Sequence, residues 1–209
     1  MKSFEPLMLI TPAGTPEEVE QLTRTFLEAG GRWVQLRQKA MDKAVLTSLA
    51  ERLLCCCRAH SAVLLINDDP ELALQSGAHG VHLGQSDCPV REARYLLGKD
   101  KIIGGTANTL KQMETLVYEG VDYIGLGPFR FTSTKERLSP LLGADGYRAR
   151  MDAFRAAGYA TPVVAIGGIV PDDAAVLLDV GVDGIAVSGA LLDDTAGQTR
   201  KFLNVLTKK

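Results

Sequence analysis

The chain has 209 residues and a formal net charge of -2 at pH 7, with 46% hydrophobic and 23% charged residues, a composition that excludes disordered, collagen-like and coiled-coil proteins. The charge balance includes no basic stripe, so we expect no nucleic-acid partner. No apolar run reaches the roughly 18 residues of a membrane span and Met1–Pro6 lacks a signal-peptide pattern, so we expect a cytoplasmic protein with no membrane partner.

Short apolar runs alternate with longer amphipathic stretches, which predicts repeated strand–helix units. The runs predicted as strands are, in chain order, Leu7–Ile10, Trp33–Leu36, Ala62–Ile66, Gly80–Leu83, Lys101–Gly104, Tyr123–Leu126, Pro162–Ile166 and Gly184–Val187. They are apolar throughout rather than alternating, as expected of parallel strands that are covered on both faces.

Capping residues mark the starts of several helices. Thr15 and Glu18 form a capping-box pattern for a helix over Pro16–Ala29, and a proline followed by two aspartates opens another over Pro171–Val180. A helix over Lys43–His60 contains three consecutive cysteines, which would point about 100° apart and cannot converge on a metal. We therefore expect reduced, mostly buried thiols. A closing amphipathic helix is predicted over Thr195–Lys209.

Four of the predicted helix-to-strand turns share one shape: helix end, glycine, short turn, strand. The glycines are Gly30, Gly77, Gly120 and Gly181. Each fits a left-handed position after a helix, where a Cβ is disfavoured. This repeat predicts a single-domain TIM (β/α)8 barrel over residues 1–209 with parallel strands. A doubly wound open sheet is the alternative, but Thr11–Thr15 has no G-x-G-x-x-G turn.

Polar residues follow the second strand, at the end of the barrel where the active site should form. In Gln35-Leu36-Arg37-Gln38-Lys39, alternation places Gln35, Arg37 and Lys39 on one side of the chain. Two cations and an amide suit a phosphate or diphosphate. A surface cluster of salt bridges is the alternative interpretation.

Carboxylates follow the third and fourth strands, at Asp68 and Asp87. Oxygen ligands that share a site with phosphate-binding cations suggest Mg²⁺ bridging a diphosphate. The alternative is helix N-capping, a role open to Asp69 ahead of Pro70 and to Asp87 ahead of the next proline.

Loops rich in glycine and hydroxyl groups follow the sixth, seventh and eighth strands. The sixth opens a long loop to about Gly143, and glycine-rich turns at Gly167–Gly168 and Ser188–Gly189 lead into helices. Such turns are the usual phosphate site of this barrel. Two phosphate zones across one mouth predict two phosphorylated substrates, one a metal-bound diphosphate, and a transferase reaction in which diphosphate leaves.

The ordered set of motifs resembles the thiamine-phosphate synthase family from about Leu9 to Ala190. The motifs are Gln35–Lys39, Ile66–Asp68, Gly80–Asp87, Asp122–Pro128, Thr132–Lys135, Ala165–Ile169 and Ala186–Ser188. The resemblance implies a TIM barrel that joins hydroxymethylpyrimidine, from its diphosphate, to a thiazole phosphate, giving thiamine phosphate and diphosphate. These small molecules are the expected partners, and a homodimer is one option for the oligomeric state.

The resemblance also implies a role for each matching residue. The pyrimidine diphosphate would be held by Gln35, Leu36, Arg37, Gln38, Lys39, Asn67, Thr106 and Lys135. Of these, Arg37, Lys39 and Lys135 would be catalytic, by neutralising the leaving group. The thiazole phosphate would be held by Thr132, Ser133, Thr134, Gly168, Val187 and Ser188. Asp68 and Asp87 would bind the expected cofactor, Mg²⁺.

The family's reaction is thought to be dissociative, with diphosphate leaving before the thiazole nitrogen attacks, so no general base is needed. We therefore interpret His82 as a structural hydrogen-bonding residue rather than a catalyst. The chain departs from the family where Thr106 and Asn108 replace the usual serine and histidine. Thr106 retains a hydroxyl for the substrate, whereas Asn108 has no assigned role.

Three other functions compete with this interpretation. A thiazole tautomerase shares the fold, but it has no use for Lys39, Asp68, Asp87 and Lys135 together and carries a histidine where this chain has Pro128. A non-catalytic barrel that senses thiamine precursors would bind ligands without turnover. A sugar-phosphate enzyme would normally need a positioned acid–base pair, and none stands out.

Overall fold

Eight parallel strands close into a barrel in a computed structural model that describes residues 5–131 and 140–207. The strands are β1 Leu7–Ile10, β2 Trp33–Leu36, β3 Val63–Asn67, β4 Gly80–Leu83, β5 Ile102–Ala107, β6 Tyr123–Leu126, β7 Val163–Ile166 and β8 Gly184–Val187. Each strand pairs with the next in sequence, and β1 closes the ring by pairing with β8, with Leu7 opposite Ile185. The predicted TIM barrel is confirmed, and the open sheet is excluded.

Within the described residues, eight helices surround the barrel. They are α1 Pro16–Glu28, α2 Lys43–Ala59, α3 Pro70–Gln75, α4 Val90–Leu97, α5 Leu110–Glu119, α6 Gly143–Ala156, α7 Ala174–Asp179 and α8 Thr195–Leu206. The capping box of α1 is confirmed, because the Glu18 N–H donates to Thr15 Oγ1 at 3.2 Å and the Thr15 N–H donates to Glu18 Oε2 at 2.8 Å.

The helix predicted over Pro171–Val180 is two elements, a 3₁₀ turn over Pro171–Asp173 followed by α7.

The four glycines predicted to be left-handed all have positive φ, at 106°, 71°, 87° and 88° in chain order. The predicted repeat of helix-to-strand turns is therefore confirmed in its backbone geometry.

Two apolar layers result from the alternation of side chains along the strands. Residues facing inward fill the barrel, including Met8, Trp33, Leu65 and Tyr123, while those facing outward join the helices in a larger core. Towards the carboxyl ends the inward positions become polar, at Gln35, Asn67, His82 and Thr106. The same alternation that fills the barrel thus sends polar groups to its mouth.

β5 extends to Ala107, three residues beyond the predicted end at Gly104. The run of apolar residues in the sequence ends at Gly104 and Gly105, yet both glycines lie inside the strand, where there is no space for a side chain. A Cβ on Gly104 would lie 2.1 Å from the Tyr123 ring, so glycine there makes space for a large side chain inside the barrel. This extension places Thr106 within the strand.

No helix within residues 5–131 and 140–207 has both the length and the apolar character needed to cross a membrane. The four cysteines are free, but Cys57 alone among them is buried, since Cys55 is exposed and Cys56 and Cys88 are partly buried. The prediction of mostly buried thiols is therefore wrong. Burial raises the pKa of the Cys57 thiol to about 12, so this sulfur is a neutral core group rather than a nucleophile.

Candidate active site

Gln35 and Asn67 form an amide pair at the carboxyl ends of β2 and β3. The Gln35 Nε2 donates to Asn67 Oδ1 at 2.6 Å, and the Gln35 side chain is buried. An amide carries both donors and an acceptor, so this bond leaves the Gln35 oxygen and the Asn67 nitrogen able to bind a ligand. The pair is thus suited to a flat, polar heterocycle at the mouth.

Arg37 directly follows the end of β2, and its charge acts on Asp68. Its N–H donates to Thr11 Oγ1 at 2.9 Å, which ties the end of β2 to the segment after β1. Thr11 is 1% exposed and was not singled out from the sequence, although it is a polar residue directly after a strand.

Gln38 and Leu36 point away from the mouth. The Gln38 amide donates to the Pro12 carbonyl at 2.5 Å and to Thr11 Oγ1 at 3.3 Å, and accepts from the Gly14 N–H. Leu36 lies in the outer core, at 1% exposed. Gln38 therefore positions the loop after β1, and any ligand contact of Leu36 would come from its main chain.

Asp68 and Asp87, hereafter the acid pair, lie together at the ends of β3 and β4. Asp68 has a φ of 66°, and its N–H donates to the His82 carbonyl at 2.8 Å. Asp87 Oδ2 accepts the Gly84 N–H at 2.6 Å. Asp87 does not cap α4, whose N-cap is Pro89, whereas Asp69 caps α3 by accepting the Leu72 N–H.

The acid pair is electrostatically unfavourable by itself. Burial and contact with Asp87 raise the pKa of Asp68 to about 6, although Lys39 and Arg37 act in the opposite direction. The Lys39 Nζ lies 3.6 Å from Asp68 Oδ2. Two adjacent carboxylates that resist ionising together would be relieved by a divalent cation. The residues therefore fit Mg²⁺.

The acid pair leaves room for other ligands of a cation. Within the part of the chain that the structure describes, no three His, Cys, Asp or Glu side chains form a metal-binding group. Mg²⁺ is commonly held by one or two carboxylates together with water and substrate phosphates. A cavity of about 310 Å³ borders Asp68 but not Asp87, and its wall also includes Leu36, Gln38, Lys39, Leu46, Ile66 and Asn67.

Gly167 and Gly168, the glycine turn, follow β7 with φ of 104° and 63°. The Arg130 N–H donates to the Gly167 carbonyl at 2.9 Å, and the Arg130 guanidinium pairs with Asp173 through two hydrogen bonds. A Cβ on Gly168 would lie 2.7 Å from the Phe131 carbonyl oxygen. The start of the loop after β6 is thus packed directly onto this turn.

Substitution of Gly168 by alanine is expected to lower the free energy of unfolding by about 2–4 kcal/mol, since the positive φ and the contact with Phe131 both act against a Cβ. Gly158→Ala is the matched control: φ is 84° there and nothing lies within 4 Å of the added atom. The control should lose only about 1–2 kcal/mol. Urea unfolding measures both, and equal losses would contradict the close packing.

Val187 and Ser188 lie on the eighth strand and just after it. The Val187 side chain is buried in the outer core, so only its main chain can face a ligand. Ser188 is half-buried and precedes the 3₁₀ turn Gly189–Leu191. Thr132, Ser133, Thr134 and Lys135 lie outside the described residues, so their roles stay predictions.

His82 is a hydrogen-bonding residue inside the barrel, as predicted. Its Nδ1 is 2.7 Å from the Tyr123 hydroxyl, and its Nε2 is 2.9 Å from Thr106 Oγ1. Asn108, for which the sequence suggested no role, donates from Nδ2 to the Gly127 carbonyl. It therefore helps to hold the segment after β6.

Known proteins resemble this chain in both sequence and fold. Residues 7–191 match the family described as thiamine monophosphate synthase. The thiamine-phosphate synthase of Bacteroides fragilis is 45% identical over 184 residues, which cover 87% of this chain and 90% of that protein. The corresponding protein of Bacteroides thetaiotaomicron is 46% identical over 181 residues, covering 86% and 87% respectively.

A solved structure extends the likeness to the backbone. The thiamine phosphate pyrophosphorylase from Pyrococcus furiosus is 28% identical and superposes with a TM-score of 0.84, covering 97% of this chain and 96% of that one. The family match spans all eight strands, from β1 to β8. The chain therefore belongs to the thiamine monophosphate synthase family of transferases.

Proposed function

We propose that this transferase joins hydroxymethylpyrimidine, taken from its diphosphate, to the nitrogen of a thiazole phosphate. The products are thiamine phosphate and diphosphate. The observation that carries the proposal is the contact between Lys39 and the acid pair at the ends of β2–β4. Cations beside paired carboxylates at a barrel mouth suit a diphosphate leaving group better than they suit an isomerisation.

Arg37 and Lys39 would neutralise the negative charge that grows on the diphosphate as its bond to the pyrimidine methylene breaks. Groups positioned where charge develops lower the barrier more than groups that bind the substrate and the transition state equally. The Gln35–Asn67 amide pair would orient the pyrimidine ring, since one amide oxygen and one nitrogen remain for it.

Asp68 and Asp87 would hold Mg²⁺, which when bound supplies positive charge to the diphosphate. Lys39 is positioned to contact both the acid pair and a phosphate oxygen, because its exposed ammonium lies only 3.6 Å from Asp68 Oδ2. Lys135 would approach the same leaving group from the loop after β6.

The thiazole phosphate would occupy the opposite side of the mouth, at the glycine turn and Ser188. Main-chain N–H groups of glycine-rich turns are suited to phosphate oxygens, and Thr132, Ser133 and Thr134 would add hydroxyls. The attacking atom is a tertiary ring nitrogen that carries no proton, so no base is required. In agreement with this, both nitrogens of His82 are engaged inside the barrel.

Incubation of the purified protein with both phosphorylated precursors, with and without Mg²⁺, tests the proposal. We expect thiamine phosphate and diphosphate in equal amounts, dependent on Mg²⁺, when both are followed by chromatography. Binding of both precursors without product would favour a sensor barrel. Isomerisation of the thiazole alone would favour a tautomerase, and either result would refute the proposed reaction.

A further inference from the structure

Tyr123, His82 and Thr106 form a chain of hydrogen bonds that runs from the centre of the barrel to its mouth. The residues lie on the neighbouring strands β6, β4 and β5, and the register places both His82 and Tyr123 opposite Gly104. Tyr123 is 1% exposed, His82 is 8% exposed and Thr106 is half-buried. The chain therefore connects a fully enclosed hydroxyl to one that a ligand can reach.

The surrounding residues provide the space for this chain. A Cβ on Gly104 would lie 2.1 Å from the Tyr123 ring, and one on Gly125 would lie 3.0 Å from His82 Cε1. Trp33 closes the other side of the tyrosine, with ring centroids 4.9 Å apart in an edge-to-face arrangement. The two glycines and the large Trp33 side chain thus hold the Tyr123 and His82 rings in a single orientation.

We propose that Tyr123 is a positioning residue that acts through His82 to direct the hydroxyl proton of Thr106 towards an acceptor atom of the pyrimidine diphosphate. This inference rests on the proposed function, because it assigns the hydroxyl to that substrate. What the inference adds is the direction in which the hydrogen bonds run from Tyr123 through His82 to Thr106.

The proposed direction assigns one proton to each bond of the chain. Burial raises the pKa of Tyr123 well above its usual range, so the phenol keeps its proton. In the proposed direction the phenol donates to His82 Nδ1, 2.7 Å away, and the neutral imidazole carries its own proton on Nε2. The Nε2–H donates to Thr106 Oγ1 at 2.9 Å. Oγ1 is then an acceptor within the chain, and its proton is available to a ligand.

The opposite direction would change the Thr106 hydroxyl at the mouth from a hydrogen-bond donor to an acceptor. If His82 carried its proton on Nδ1, Nε2 would accept the Thr106 proton, and the threonine would present only lone pairs. Gln85 fixes the other end of the residue by donating from Nε2 to the Thr106 carbonyl. Because the hydroxyl and the carbonyl of Thr106 are both hydrogen-bonded, the tautomer of His82 determines whether the hydroxyl donates to the substrate or accepts from it.

A double-mutant cycle tests the coupling. Thr106→Val removes the hydroxyl and Tyr123→Phe removes the distant phenol oxygen. Each is expected to raise the KM of the pyrimidine diphosphate about tenfold and to leave that of the thiazole phosphate unchanged. The double variant should match Thr106→Val alone, because the tyrosine acts only through the threonine. Thr106→Ser, which retains the hydroxyl, should restore the KM.

Tyr147→Phe is the matched control, since Tyr147 is also fully buried and hydrogen-bonded, to the main chain of β6 and β7. It should lower stability without changing the KM of the pyrimidine diphosphate. Additive effects in the double variant, or equal effects of Tyr123→Phe and Tyr147→Phe on that KM, would overturn the proposal.

The ¹⁵N chemical shifts of the His82 ring provide a readout that does not depend on turnover. We expect the Nε2–H tautomer in the unsubstituted protein and a loss of that preference in Tyr123→Phe. An Nδ1–H tautomer in the unsubstituted protein would overturn the proposed direction. If no thiamine phosphate forms at all, the proposed function fails, and the shifts still decide the direction of the chain.

Discussion

Replacement of Arg37 by alanine is expected to lower kcat/KM for the pyrimidine diphosphate by about 10²–10³-fold, because it removes a fixed positive charge from the leaving diphosphate. The guanidinium lies close enough to Asp68 to lower the pKa of that carboxyl, which places it in the cluster with Lys39. The hydrogen bond from the main-chain N–H of Arg37 to Thr11 Oγ1 does not involve the side chain and persists in the variant. Folding should therefore be retained.

Arg148→Ala is the matched control for this prediction. Arg148 lies on α6, pairs with Asp179 at 2.7 Å and is half exposed. Such surface pairs contribute little to stability, so the control should resemble the unsubstituted protein in both activity and melting. Single-turnover measurements of diphosphate release would isolate the chemical step. Near-native release by the Arg37 variant would remove this residue from the leaving-group role.

Asp68→Asn is expected to raise the Mg²⁺ concentration needed for half-maximal activity at least tenfold, since it removes one of two carboxylates from the proposed site. The shape of the side chain is retained, and asparagine tolerates the φ of 66° at this position. Titration of activity with Mg²⁺ measures the change. An unaltered titration would exclude Asp68 as a ligand.

The same substitution should change how stability depends on pH when no metal is added. The pKa of Asp68 is raised from 3.8 to about 6 in the folded protein, so ionising this group opposes folding as the pH rises through that interval. Asparagine cannot ionise. The Asp68→Asn protein should therefore be more stable at pH 8, by about 1–2 kcal/mol after allowance for partial exposure of the carboxylate, and similar near pH 4.

Asp69→Asn is the matched control, with the same chemical change one residue along the chain. Asp69 caps α3, and asparagine is an equally good N-cap, so neither the Mg²⁺ titration nor the stability at pH 8 should change. Chemical unfolding at both pH values, with a metal chelator present, makes the comparison. A gain in stability at pH 8 in both variants would indicate a general charge effect instead of repulsion within the acid pair.

The barrel could be predicted because its strands are covered on both faces. Continuous apolar runs and a repeated glycine at the helix-to-strand turns marked the strands, and five of the eight strands have the bounds predicted for them. The prediction ended β5 early because Gly104 and Gly105 carry no apolar signal. Gly104 leaves space for Tyr123 and Gly105 leaves space for Leu116, and both of these side chains come from later elements of the chain.

The site could be predicted only in part, for a similar reason. Alternation correctly places Gln35 on the inner face, because β2 is regular there. Alternation also sends Gln38 to the opposite side from Gln35, and its amide does turn to the loop after β1. The diphosphate contact of Gln38 came only from the family resemblance, which carries no information on where the side chain points. The links between Tyr123, His82 and Thr106 depend on strand register across the barrel, which no local pattern contains.

The space shared by Gly104 and the Tyr123 ring restricts the order in which the two positions can change during evolution. A larger residue at position 104 would meet the ring at once, while a smaller residue at position 123 would first leave a void beside Trp33. Only the second order passes through a folded intermediate, at the cost of a cavity. Homologues that have lost this tyrosine should accordingly include some that still keep the glycine, and the reverse combination should be absent.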